Sequence, residues 1–397
     1  MLVQKNAGRF VNLLFVIVLA LALATPALAS FGPSTYQAAK RVLGEPNFIS
    51  SSAATTQNGM YAPGGVAVDP TTHKVFVADS QNSRVLRFAS LYSLANGAAA
   101  EAVLGQPNFT SNTVATTRNG MSVPYGVFVD AGGRLWVADT YNNRVLRFDH
   151  ASKLASGANA SAVLGQPNFT SNAALTTRKG MSGPSAVFVD AGGRLWVADT
   201  VNSRILRFNS AAAKASGANA DGVLGQPNFI SSNSATARNG MAYPYGLAVD
   251  AAGRLWVADM VNNRVLRFNG AATKANGANA DGVLGQPDFT SSTNATTRKG
   301  MFEPFGVAAD SAGFLYVADY ANNRILIYKA AAGLPNGSNA SYVLGQASFT
   351  SNAANYNGLS AKSLNSPFGL FYDPLSKVLF AADQYNHRVL MYGTPTH

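Results

Sequence analysis

Short apolar runs alternate with small polar turns along this chain, and the pattern returns six times. The clearest copy runs from Trp136 to Phe148. Its apolar start leads into Asp139, Asn142 and Arg144, and an apolar run follows. Its relatives are Phe76 to Phe88, Trp196 to Phe208, Trp256 to Phe268, Tyr316 to Tyr328 and Phe380 to Tyr392. Each reads as two strands joined by a tight turn, because β-branched and aromatic runs bounded by Asn, Asp and Ser are strand–turn–strand signals. Every turn carries Asp, then Asn three residues on, then Arg two further on. The acids are Asp79, Asp139, Asp199, Asp259, Asp319 and Asp383. The bases are Arg84, Arg144, Arg204, Arg264, Arg324 and Arg388.

A longer unit surrounds each hairpin. Pro124 to Asp130 is a strand entered through Pro, Gly133 to Asp139 is a second, and Arg144 to Phe148 is a third. After a connection rich in Ala, Gly, Ser and Asn, Val163 to Phe169 is the fourth. Its Pro lacks a ladder donor, which places it at the outer edge of a sheet. The fourth segment begins at Val42, Val103, Val163, Val223, Val283 and Val343, a first interval of 61 residues and then 60 throughout. A fixed period of this length means an array or a propeller whose units pack on their neighbours. A fourth-type segment stands before the first set of three strands, and none follows the last set, Pro367 to Tyr392. A ring resolves both ends, with Val42 to Phe48 as the outer strand of the last blade. Closure also removes the open edge of a linear array. The expected fold is all-β: a six-bladed β-propeller of four-stranded antiparallel blades, closed by an N-terminal strand.

Composition agrees. Of 397 residues only 12% are charged, 37 are Gly and none is Cys, which suits a tightly turned β protein and excludes disulfides and thiolate metal sites. Residues 1–29 differ. Lys5 and Arg9 precede an apolar run from Val11 to Ala24, and Ala27 to Ala29 closes it, as in a secretory signal peptide. The propeller then occupies 30–397 as a single domain. Losing Lys5 and Arg9 takes the net charge from +11 to +9. With no later apolar span, the expectation is a soluble monomer that is secreted, extracellular or periplasmic.

The repeated segments resemble NHL repeats. The residues that carry the likeness are Pro124, Gly126, Val127 and Asp130, then Gly133, Leu135, Val137 and Asp139, then Asn142 and Arg144. The likeness spans all six units. It implies a six-bladed propeller, and its members include RNA-binding modules, sensor ectodomains, scaffolds and a lyase. Related six-bladed folds include lactonases. Fold likeness alone does not choose among these.

Carboxylates are the first candidates for chemistry. Twelve of the 19 recur once per blade, at the ends of first and second strands, and read as framework. Among the rest, Glu303 stands alone beside the start of a first strand, and one carboxylate without a partner is weak for acid–base work. His73, His150 and His387 fall at different levels of different blades, so no three-His metal site is expected. No cofactor is expected; a channel Ca²⁺ or Zn²⁺ belongs to the alternative, a lactonase- or lyase-type enzyme. A more suggestive feature is basic. Arg118, Arg178, Arg238 and Arg298 stand six residues before the first-strand Pro, with Lys179 and Lys299 beside two of them. Tyr125, Tyr245, Phe305 and Phe368 occupy the middle position of the Pro-x-Gly segments. Together these suggest a basic, aromatic ring round the channel mouth. The second Arg of each third strand (Arg87, Arg147, Arg207, Arg267) reads as a solvated exterior position.

The expected function is therefore a non-catalytic binding scaffold for a protein, a glycan or a small anionic ligand; an export signal argues against nucleic acid. On this reading, changing Arg118, Arg178, Arg238 and Arg298 together to Ala leaves the thermal transition nearly unmoved and abolishes binding to an anionic glycan panel.

Overall fold

The computed structural model describes residues 31–395, and the segment 1–29 lies outside them. Six four-stranded antiparallel sheets stand round one axis. In the second blade the strands, from the axis outward, are Pro124–Val129, Leu135–Asp139, Arg144–Phe148 and Ala162–Leu164. The last blade takes its outer strand, Arg41–Leu43, from the start of the described chain, with Val42 opposite Leu390. The expected fold and its closure are both found. The outer strands are shorter than expected, three residues in each blade, because the next residue is a Gly in the left-handed region (Gly105, φ 88°) and the chain turns there. Pro107 thus lies beyond the ladder rather than in it.

Blades pack face to face. Trp136, Val145 and Leu164 of one blade meet Val187, Val197 and Leu206 of the next, all nearly or fully buried. Each such side chain contributes roughly 1.5–3 kcal/mol when removed from water. At the axis the inner strands approach so closely that the Gly of Pro-x-Gly has no room for a side chain in the fourth and fifth blades, while the third blade carries Ala186 at that position. A Cβ on Gly246 would stand 2.1 Å from the carbonyl oxygen of Phe305, and one on Gly306 2.3 Å from that of Phe368.

A polar contact also joins each blade to the next. The residue closing each Asp-x-x-Asn turn is left-handed: Ser83, Asn143, Ser203, Asn263, Asn323 and His387. Its side chain accepts the N–H of the residue before the next blade's Pro, itself left-handed: Asn143 Oδ1 from Gly183 at 2.7 Å, Asn263 Oδ1 from Glu303 at 2.8 Å, Asn323 Oδ1 from Ser366 at 2.7 Å. The carbonyl of the same left-handed residue accepts from a Gln of the outer segment, as Ser83 does from Gln106 Nε2 at 3.0 Å. The strained backbone is thus held by a ring of junction bonds.

The closing junction departs from the other five. Its acceptor is His387 Nδ1, 3.2 Å from the N–H of Ala62, and Glu45 stands where the others have Gln. Glu45 is 3% exposed and its Oε1 is buried without a hydrogen-bond partner. Burial raises the Glu45 carboxyl, opposed by the N–H of Ser52 and by Arg388. Burial lowers His387 from its ordinary 6.5, opposed by Asp383.

The two signs are opposite. Below 6.5 the unfolded chain takes up the His387 proton first, so that contribution is lost as pH falls through the lowered value. A raised Glu45 stabilises in acid, and that contribution is lost as pH rises through its folded value. His387→Asn should therefore gain melting temperature over the parent as pH falls from 7 to 5. Glu45→Gln should gain as pH rises from 4 to 7. Calorimetry across pH checks both, and differences that do not vary with pH would refute the assignment.

Candidate functional site

The repeated Asp and Arg are not at a reaction centre. Each pair is fully buried at 0% exposure. Asp139 Oδ2 accepts from Arg144 Nε at 2.7 Å and from Asn142 Nδ2 at 2.9 Å, while Oδ1 takes the N–H of Ser122 at 2.7 Å. Arg144 spends its other donors on the carbonyls of Thr117, Gly120 and Phe169. The same set recurs at Asp79–Arg84, Asp199–Arg204, Asp259–Arg264, Asp319–Arg324 and Asp383–Arg388. Burial raises these carboxyls, Asp79 to about 6, against the lowering effect of Arg84, the N–H of Tyr61 and Asn82. The motif does more than join two strands, as its repetition suggested. It fastens the long loop above the blade, which the sequence alone did not show.

That fastening also separates the two sets expected to share the channel mouth. The loop residue Arg118 lies over the outer segment of its blade. Its Nε donates to the Ala160 carbonyl at 2.8 Å, and its guanidinium lies 5.1 Å from the centre of the Phe169 ring. Arg178, Arg238 and Arg298 repeat both contacts, and Gln57 makes the same bond in the first blade. These arginines, with the exposed Lys179 and Lys299, form an outer belt rather than a ring round the axis. Each is a loop latch, so the fourfold Ala change costs about 0.5–1 kcal/mol per blade rather than nothing.

Tyr125, Tyr245, Phe305 and Phe368 do converge on the axis. Ring centres are 5.0 Å apart for Tyr125 and Phe368, 4.2 Å for Tyr245 and Phe305, and 4.9 Å for Phe305 and Phe368. Tyr320 stacks on Phe305 at 4.2 Å and donates to Gln384 Oε1 at 3.2 Å. The group forms a plug over the upper end of the channel. Burial, with Tyr141 next in weight, pushes the Tyr125 phenol up to about 12, and burial holds Tyr245 well above its ordinary value.

Round the plug the upper face is exposed and apolar. Tyr61, Tyr141, Val201, Tyr243, Val261 and Tyr385 are 39% to 61% exposed. Four of them, Tyr141, Val201, Val261 and Tyr385, sit at one position of the Asp-x-x-Asn turn. That regularity is visible in the sequence, beside the charged residues of the same turn. Below the plug the channel widens to a cavity of about 460 Å³ that opens on the opposite face. There Asp130 Oδ2 accepts from Trp136 Nε1 and Arg134 Nε, both at 3.0 Å. The second arginines of the third strands are not solvated exterior residues. Arg87 is 8% exposed and donates to the carbonyls of Ala151 and Leu154 in the next blade. Arg147 lies over Trp136 and reaches Ala212 in the blade after its own.

Glu303 stands at the junction of the fourth and fifth blades, where its N–H meets Asn263. His387 serves the closing junction, and His73 packs edge-on to Tyr92. Among the described residues, no three of His, Asp and Glu are grouped so as to hold a metal ion. No described helix is long and apolar enough to cross a membrane.

The NHL repeat family model matches residues 122–148 and 303–328, the three inner strands of the second and fifth blades. The chain thus carries NHL repeats within a six-bladed propeller. The chain is also similar to a curated plant protein, SUPPRESSOR OF QUENCHING 1, chloroplastic, of Arabidopsis thaliana. The two are 27% identical over 160 residues, 38% of this chain but 14% of that protein. A solved protein of unknown function from Bacteroides thetaiotaomicron shares the fold, with TM-score 0.53 and 16% identity over 92% of this chain and 75% of its own. A catalytically inactive virginiamycin B lyase from Staphylococcus aureus aligns with TM-score 0.46 and 14% identity over 83% and 79%.

Breaking one polar cluster tests its framework role. Arg204→Met leaves Asp199 buried without its cation and should lower unfolding free energy by about 3–5 kcal/mol. The exposed Lys179→Ala should stay within about 0.5 kcal/mol. Denaturant titration of both variants checks this; equal effects would refute it.

Proposed function

We propose that this NHL propeller is a non-catalytic interaction module that docks a protein partner on its upper, loop-built face. One observation carries the reading. Six of the 11 large apolar residues exposed among the described residues, Tyr61, Tyr141, Val201, Tyr243, Val261 and Tyr385, stand in or beside the Asp-x-x-Asn turns at that face. Single exposed apolar residues are ordinary, but a collected patch marks an interaction surface. Its centre is rich in tyrosine and its border in arginine, the composition of protein interfaces. The Arg and Lys belt favours a partner with acidic groups at the border. With a plugged channel, this face offers a broad surface rather than a deep pocket for a small anionic ligand. An acidic polysaccharide is the second reading, supported by the same tyrosines and cations. Residues 1–29 support a place outside the cytoplasm, and a monomer is the simplest form of a closed ring.

The mature protein can be immobilised and exposed to the exported proteins of its own host. A triple variant, Tyr141→Ser, Val201→Ser and Tyr385→Ser, should lose a partner that the parent and the lower-face variant Leu375→Ser both recover stoichiometrically. Identical recovery by all three would sink the reading. Tyrosine-dependent binding to acidic glycans, with no protein recovered, would transfer it to the polysaccharide.

A further inference from the structure

The lower channel holds a feature that the upper-face reading leaves unused. The structure assigns it as a second site: we propose that the cavity binds a small, flat, largely apolar molecule without negative charge. Entry is from the face opposite the partner surface.

The cavity volume of about 460 Å³ falls in the range of small-molecule sites. Its walls are apolar. One position of each inner strand is aliphatic in all six blades: Val66, Val127, Val187, Leu247, Val307 and Leu370. The next position varies. It is Ala67, Phe128, Phe188, Ala248, Ala308 and Phe371 in order round the ring. The phenyl rings belong to the arc of the sixth, first, second and third blades, with Ala67 of the first blade between Phe371 and Phe128. Phe128 and Phe188 have ring centres 4.4 Å apart, and Phe128 and Phe371 6.4 Å. All three are half-buried rather than packed away. The fourth and fifth blades, on the other arc, carry only methyl groups at this level. Here large rings on one arc and small residues on the other leave an asymmetric slot with an aromatic wall. Such a wall favours a planar apolar body through offset or edge contacts.

The mouth sets the charge. Asp190, Asp250 and Asp310 are half-buried there. Arg194 and Arg254 neutralise the first two at 3.1 and 2.7 Å. In the fifth blade Phe314 replaces that arginine, and Asp310 is held instead by the Tyr316 hydroxyl and the Phe314 N–H, each at 2.8 Å. An anion entering past this carboxylate is disfavoured, while a neutral or amine-bearing molecule is accepted. The aromatic plug closes the far end, so the slot has one entrance.

A neutral naphthyl probe, N-phenyl-1-naphthylamine, tests the site on the purified protein. Expected is saturable fluorescence at one probe per chain. Energy transfer from Trp136, Trp196 and Trp256 is expected too, because their indole nitrogens lie 2.9–3.0 Å from Asp oxygens at the mouth. The double variant Ala248→Phe and Ala308→Phe fills the small arc and should weaken binding at least tenfold. The sulfonated analogue, 8-anilinonaphthalene-1-sulfonate, should bind at least tenfold more weakly than the neutral probe. Non-saturating fluorescence, or binding unchanged by filling, overturns the site; equal affinity for the sulfonate overturns its charge preference. Should the filled variant fail to fold, Phe188→Ala removes part of the aromatic wall. Unchanged probe affinity and emission in that variant would overturn the proposal equally.

Discussion

Six arginine–aspartate pairs, each withdrawn from water, hold this propeller in shape. A buried ion pair seldom stabilises by attraction alone, since removing two charges from water costs several kcal/mol per ion. These pairs persist because nearly every donor is used. Arg144 gives one donor to Asp139 and the rest to three carbonyls of two different loops. Loops of about twenty residues without strands of their own are uncommon in compact domains. Here each is bonded to a charge fixed in the blade beneath, and so gains an anchor that its own sequence lacks.

The same anchoring shapes the upper face. Loops held by buried arginines would lose little further freedom on the proposed docking of a partner, which lowers the ordering cost of association. The apolar residues they display are therefore presented rather than folded away. Rigidity also depends on the ring staying closed. Five junctions rely on Ser, Asn and Gln, whose hydrogen bonding is independent of pH. The sixth relies on His387 and Glu45, the two members that titrate.

Much of this was legible in the residues themselves. The period, the four strands of each blade and the closing strand followed from apolar runs and turn residues, with a ring as the simplest way to satisfy both ends. The framework role of Asp139 and its copies followed from sixfold recurrence. Radial position was not legible. Arg118 stands six residues before an inner strand, yet it lies over the outer segment, because Arg144 pulls the intervening loop outward. Sequence spacing measures distance along a chain, not distance from an axis. Arg87 was misread for a related reason: its partners lie 64 and 67 residues away, in the next blade. Glu45 and His387 could be seen as departures from the repeat. Their meaning needed the contact with Ala62, which closes the ring across 325 residues.

Departures from repetition bear on both proposed sites. Positions that hold the blades together change little among the six copies: the Asp, Asn and Arg of the turn, the buried aliphatics, the Gly of the inner strand. Positions on the axis change most. At the upper end the series runs Gly64, Tyr125, Ser185, Tyr245, Phe305, Phe368, and at the lower end Ala67, Phe128, Phe188, Ala248, Ala308, Phe371. Both series point at the one place where all six blades meet, so a change in one blade alters a space shared by all. A framework residue that changed in a single blade would leave a defect there, such as an unpaired buried charge. An axial residue that changes instead reshapes the channel at little cost to the fold. Repetition thus stabilises the ring, while the axis, freed from that requirement, can acquire a plug at one end and a lopsided cavity at the other.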